Sequence, residues 1–279
     1  MITNRLGAVR SYVDAASMLT FFLLTCAVPS YLAFSVIGSV GRPSVLVCLL
    51  MFAWWLAHQL QRAFGAPTRP QPMRWMLALF VVAVLASYAS AMFRGLPVLE
   101  VSPADNGLLR VLAWCGLFLV AHDGLTSWDG IIVVLRRVVL AGSLMATLGL
   151  LQFATKSSLL GWFTIPGMSG EYSGGIDQRA GFVRSAGTAM HPLEYGVVLS
   201  IALPLALALA LADRKRGLIA RWCPVVVIAT ASILSVSRSA LIAVVIAVAV
   251  LAASWTARQK LSAAGFAVGL VGVVYFAVP

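Results

Sequence analysis

The sequence predicts an all-α, polytopic transmembrane helical bundle of about nine spans. Three observations carry that prediction. Hydrophobic residues make up 61% of the 279 positions and charged residues only 10%, whereas a soluble domain carries roughly 25% charged residues. The mean hydropathy is +0.96. The apolar residues fall in runs of helix-spanning length, not in the short alternating segments of a transmembrane β-barrel. A chain with so little charge could not cover a soluble surface of this size, which excludes soluble enzymes, nucleic-acid modules, disordered tails and disulfide scaffolds.

The runs follow in order. The first is Ala15–Ile37, interrupted by Pro29, and the second is Pro43–Gln61. The third is Arg74–Phe93, the fourth Asn106–Ala121 and the fifth Val138–Phe153. After a long loop, Ala154–Pro192, come Leu193–Ala212 with Pro204 inside, the short run Trp222–Leu234, Ala240–Trp255 and Leu261–Val278. The seventh and eighth runs are separated only by Ser235-Val236-Ser237-Arg238-Ser239, so a single bent hairpin also fits them. Arg5 and Arg10 ahead of the first run resemble a signal peptide, but the run is long and lacks a small-x-small cleavage site, so a retained first helix is expected. The whole chain reads as one transmembrane domain.

Basic residues exceed acidic ones by 20 to 9, a formal charge of +11. In a membrane protein this excess marks cytoplasmic loops, not a nucleic-acid partner. With a cytoplasmic N-terminus, Arg62, Arg69 and Arg74 fall inside, as do Arg136, Arg137, Arg214, Lys215, Arg216, Arg221, Arg258 and Lys260. Glu100 and Asp105, the Ala154–Pro192 loop and the hairpin at Arg238 then fall outside. The four cysteines, Cys26, Cys48, Cys115 and Cys223, lie singly in apolar stretches, with no CxxC spacing for a metal or a disulfide framework. His58 and His122 lie at predicted cytoplasmic edges, where snorkelling accounts for them.

Two constellations suit chemistry. The end of the long loop reads Arg184-Ser185-Ala186-Gly187-Thr188-Ala189-Met190-His191-Pro192-Leu193-Glu194-Tyr195-Gly196, ionisable and hydroxyl groups at the mouth of an apolar helix. Glu194 falls in the first turn, where the helix dipole favours a negative charge; a plain cap with surface charges is the simpler alternative. Ser235 to Ala240 sets Arg238 among serines between two apolar runs, a costly place for a guanidinium unless it meets water or an anion. The loop charges put Arg184 and Arg238 on one side of the membrane, and two guanidiniums able to grip phosphate bidentately suit an anionic ligand.

The order Arg-x-x-Gly…His-Pro-x-Glu-Tyr-Gly (Arg184 to Gly196), then Ser-x-Ser-Arg-Ser-Ala (Ser235 to Ala240) and an apolar helix resembles the O-antigen ligase and polymerase family. The motifs cover the region from Phe153 to Trp255, and the other spans agree by hydropathy only. Members of that family are bacterial polytopic glycosyltransferases. The resemblance implies a donor glycan carried on a polyprenyl diphosphate, transferred to an acceptor sugar hydroxyl at the outer face of the plasma membrane. It implies that Arg184 and Arg238 bind the diphosphate and stabilise charge on the leaving group, with His191, Glu194 and Ser237 beside them in the substrate site. It implies that no metal or other cofactor is needed, since the arginines take over that role. Many family members have Asn after the Pro, where this chain has Leu193 and then Glu194. The family also continues into a large external loop whose His is proposed to activate the acceptor; this chain has no matching position, so weak turnover is expected of it. A transporter or flippase for lipid-linked sugars would use the same arginines but needs access from both sides. An inactive scaffold is the third reading.

Overall fold

The computed structural model describes residues 14–62, 71–95, 97–170, 177–179, 182–213, 216–235, 237–261, 263–265 and 268–269. The architecture is all-α: eight α-helices carry the described chain, with a 3-10 turn at Gly38–Gly41 and short extended pieces between them. The helices are α1 (Ala15–Thr25), α2 (Pro43–Arg62), α3 (Pro72–Phe93), α4 (Val98–Gly124), α5 (Trp128–Thr155), α6 (Pro192–Ala212), α7 (Leu218–Leu234) and α8 (Arg238–Ala252). The extended pieces are β1 (Ala33–Phe34), β2 (Met168–Ser169), β3 (Asp177–Arg179) and β4 (Phe182–Arg184).

Five helices, α2 to α6, are long and apolar enough to cross a membrane; α1, α7 and α8 are apolar but shorter. At 1.5 Å per residue, the 11 residues of α1 extend about 16 Å, half of a bilayer's hydrocarbon core. The first expected span, to Ile37, ends early because Pro29 cannot continue a helix; the chain turns there instead, with Leu32 N–H bonded to Pro29 O at 3.0 Å. Conversely, α4 starts two turns before the expected Asn106. Its first turns carry Glu100, Pro103 and Asp105, which break the apolar run without breaking the helix. The seventh and eighth runs are two helices, α7 and α8, joined by three residues. Most of the ninth expected run, Leu261–Val278, lies outside the described residues.

The chain falls into two compact units. Among the described residues, the first holds those within 14–25 and 33–134. There α2 and α4 pack closely because Gly116 has no side chain: a Cβ on it would stand 2.6 Å from Phe52 N and 2.7 Å from Phe52 Cβ. Ala15, Met51 and Val120 close the core of α1, α2 and α4. Helix α3 buries none of its residues. It is fastened at its start by Arg74, whose Nε donates to Asp123 Oδ1 at 3.1 Å and whose terminal nitrogen lies 2.6 Å from Oδ2. Trp55 Nε1 donates to the same carboxylate at 2.6 Å, and the Arg74 guanidinium stands 5.8 Å above the Trp55 ring.

The second unit holds the described residues within 26–32 and 135–269. Helix α6 is its centre. It is apolar on all sides, with one face buried against other helices and the face of Leu193, Val197 and Ile201 left exposed. It buries Tyr195, Leu199, Ala202, Leu203 and Ala206 against Val139 and Ala146 of α5 and Val225 and Ile228 of α7. Small residues on α5 allow this approach. A Cβ on Gly142 would come 2.7 Å from Ala202 Cβ, and one on Gly149 would overlap the Tyr195 hydroxyl. The C-terminal end of α6 is held by Arg221, whose guanidinium donates to Ala210 O, and by Asp213, which lies 2.6 Å from Arg136 and 3.3 Å from Arg216.

Candidate functional site

The second unit gathers several helix termini at its other end. Because α6, α7 and α8 alternate in direction with short connections, α6 and α8 begin at the same end, where α5 finishes. Their first turns touch: a Cβ on Gly196 would stand 2.7 Å from Ala240 Cβ and 3.6 Å from Ser237 Oγ. Two helix N-termini side by side concentrate unpaired backbone N–H groups and the positive ends of two dipoles.

The segment 184–191 that leads into α6 is strapped to α5. Gln152, 3% exposed, makes four hydrogen bonds. Its Nε2 donates to Gly187 O at 3.0 Å and Ser158 O at 2.7 Å; its Oε1 accepts from Gly187 N–H at 2.9 Å and Ala186 N–H at 3.3 Å. Ser185 Oγ donates to Gly149 O at 2.6 Å. Gly187 has φ +60, and a Cβ there would stand 2.9 Å from Met145 Cγ and 3.2 Å from the Tyr195 ring, so both conformation and space demand glycine. On the other side, Thr188 donates its hydroxyl to Cys26 O at 3.1 Å and accepts Ser30 N–H on its carbonyl at 2.8 Å.

Arg184 closes this strap and is buried, with 8% exposure. It is the last residue of β4, and the antiparallel register of β3 and β4 sets Asp177 opposite it. Arg238 is the first residue of α8, at the end where α6 also starts; its side chain lies outside the described residues. Arg184 thus lies one residue before the Ser185–Gly149 bond to α5, and Arg238 opens the helix whose first turn touches that of α6.

The other expected site residues serve as helix caps. His191 is the N-cap of α6, its Nδ1 accepting from Leu193 N–H at 3.1 Å. Glu194, exposed, reaches back to accept from Met190 N–H at 3.3 Å, close to a capping box. Ser237 is the N-cap of α8, its Oγ accepting from Ala240 N–H at 3.4 Å and lying 3.3 Å from Ser239 Oγ. Ser237 is 2% exposed. These bonds use part of the N-terminal donor set and still leave first-turn N–H groups of both helices to other acceptors.

Sequence reasoning missed Gln152 and Tyr195 as organisers of this region. A signal was present: Gly142, Ala146 and Gly149 recur at helical spacing, the small-residue stripe that lets apolar helices approach, and Gln152 continues that same face. Among the described residues no group of three or more His, Cys, Asp and Glu stands together as a metal site would require. Comparison of the chain with models of protein families, with curated proteins and with solved structures finds no match in any of the three.

Proposed function

We propose that the protein is a membrane glycosyltransferase of the O-antigen ligase and polymerase type. It would bind a polyprenyl-diphosphate-linked glycan and join that glycan to an acceptor sugar, or to a second lipid-linked glycan, in surface polysaccharide assembly. The reading rests on the motif resemblance. The observation that supports it is the junction of two helix N-termini, α6 and α8, with Arg184 on the segment that leads into α6 and Arg238 opening α8. Helix N-termini receive phosphate through backbone N–H groups and dipole, and a guanidinium adds a charged, planar donor pair. In a site shielded from water, such fixed donors act most strongly where negative charge develops, here on the departing diphosphate.

In this proposal the protein resides in the bacterial inner membrane with a cytoplasmic N-terminus. The support is the charge asymmetry: Arg136, Arg216 and Arg221 gather at the end of the second unit opposite Arg184. The acceptor hydroxyl oxygen would form the new glycosidic bond as the bond from the anomeric carbon to the phosphate oxygen breaks, and the lipid diphosphate would leave with the hydroxyl proton.

The direct test is ligand-induced stabilisation of the purified protein in detergent. A polyprenyl diphosphate at 100 times its Kd should stabilise the fold by about 2.7 kcal/mol, seen as a rise in Tm, while a polyprenol of equal length without phosphate should not. Equal shifts with both lipids would mean that the protein responds to the chain alone, and the diphosphate reading would fail.

A further inference from the structure

The first unit contains a cavity of about 740 Å³ that the proposed transfer reaction does not use. It lies between α2, α3 and α4, and its wall is almost wholly apolar, with Phe52, Leu77, Val81 and Leu112 among the lining side chains. Its polar groups are Gln71 and Arg74, both at the start of α3, beside the indoles of Trp55 and Trp75. The cavity thus has an apolar length and one polar end.

The packing accounts for the space. Gly116 draws α2 and α4 together, whereas α3 buries no residue and is fastened by the Arg74–Asp123 pair at its start. The helix therefore stands away from its neighbours along its length. All three bounding helices are long and apolar enough to span a bilayer. The space is an open groove lined mostly by hydrocarbon, with Trp75 and Val82 exposed at its edge, so inside a membrane a hydrocarbon chain is the available filler. Volumes of about 300–1,000 Å³ are those of ordinary ligand sites.

The polar end matches a phosphate. Arg74 uses its Nε and one terminal nitrogen on Asp123, and a guanidinium carries five N–H donors, which leaves donors for a phosphate oxygen. Asp123 and Trp55 hold the guanidinium in place, so a phosphate would meet an oriented group. Trp55 and Trp75 beside it are residues that favour the headgroup level of a bilayer.

From this we infer that the cavity between α2, α3 and α4 is a binding slot for one membrane glycerophospholipid, with an acyl chain along the apolar wall and the phosphate at Arg74. The lipid would take the place of side-chain packing that α3 lacks.

The experiment uses the full chain in vesicles containing phosphatidylglycerol with a diazirine on one acyl chain. Crosslinks mapped by mass spectrometry should concentrate on Leu77, Val81 and Leu112. Excess unlabelled phosphatidylglycerol should suppress them at least fivefold, and excess diacylglycerol, which lacks the phosphate, should not. Labelling of outward-facing Leu79, 68% exposed, at the same level and with the same competition would mean ordinary bilayer contact and overturn the proposal. Equal suppression by diacylglycerol would overturn the assignment of the phosphate to Arg74. In a second arm, Val81→Trp fills the slot and should reduce the crosslink at Leu112 at least fivefold, while Leu79→Trp leaves it unchanged. An unchanged Leu112 crosslink in a folded Val81→Trp protein would contradict the slot, and the wild-type arm decides the matter if that variant does not fold.

Discussion

Gln152 holds both backbone groups of Gly187: its Nε2 donates to the Gly187 carbonyl at 3.0 Å and its Oε1 accepts from the Gly187 N–H at 2.9 Å. One amide in an apolar helix thus fixes the segment that carries Arg184 into α6. Gly187 reciprocates by presenting no side chain to Met145 and Tyr195.

Gln152→Leu should therefore destabilise the second unit by about 2–3 kcal/mol, since it removes both partners of Gly187 and leaves those groups buried. Thermal unfolding in detergent reads this, and limited proteolysis should show cleavage in the 156–191 loop at protease levels that spare the wild type. Wild-type stability in Gln152→Leu would mean that the strap is held elsewhere.

Two glycine substitutions should separate. Gly149→Ala drives a methyl group into the Tyr195 hydroxyl and should cost about 1–3 kcal/mol, as overpacking does. Gly107→Ala, at an exposed position of α4 with nothing within 4 Å of the added carbon, should stabilise by about 0.5–1 kcal/mol through helix propensity. Paired unfolding curves in one detergent check both signs.

His191 caps α6 through its Nδ1. His191→Ala should cost about 1 kcal/mol, and His191→Asn, which keeps a capping acceptor, much less. If capping is its whole role, polyprenyl diphosphate affinity should be equal in His191→Asn and wild type. A tenfold loss in His191→Asn with full stability would assign the imidazole to the ligand.

The proposed orientation places the 156–191 loop outside and the α6–α7 connection inside. Trp162 is 79% exposed and the Arg216 side chain 53% exposed, so single cysteines at these positions will report on accessibility once Cys26, Cys48, Cys115 and Cys223 are replaced. An impermeant thiol reagent should label Trp162→Cys in intact cells and Arg216→Cys only after lysis. The reverse pattern would invert the topology and remove the outer-face site.

Much of this architecture was legible in the sequence, and the departures have physical causes. The second, third and sixth runs match α2, α3 and α6 to within a few residues, because uninterrupted apolar runs leave the backbone only helix as a partner for itself. Hydropathy undercounts α4 and α5, whose first turns carry Glu100 and Asp105 in one and Asp129, Arg136 and Arg137 in the other; polar residues end an apolar run but not a helix. It overcounts α1, where Pro29 interrupts hydrogen bonding without changing hydropathy. At the site, Arg184, His191, Glu194, Ser237 and Arg238 were visible as motif residues, and the cap at the start of α6 was legible as the alternative reading of Glu194; the Ser237 cap was not, since a cap depends on where the helix begins. Gln152 was hidden because one amide in an apolar run differs little from span-end polarity until the strap it holds is known.

The central claim is that Arg184 and Arg238 together hold a lipid diphosphate, and its most direct measurement is the affinity of the purified protein for polyprenyl diphosphate in nanodiscs, compared across three arginine-to-lysine variants. Lysine keeps the charge but cannot reproduce a planar pair of parallel hydrogen bonds. A charge-assisted contact contributes about 1.5–3 kcal/mol, so Arg184→Lys and Arg238→Lys should each weaken binding roughly 10- to 100-fold. Arg136→Lys, whose partner Asp213 lies 2.6 Å away at the other end of the unit, should leave binding unchanged. Equal affinity in all three variants would contradict the account and reduce Arg184 and Arg238 to structural charges.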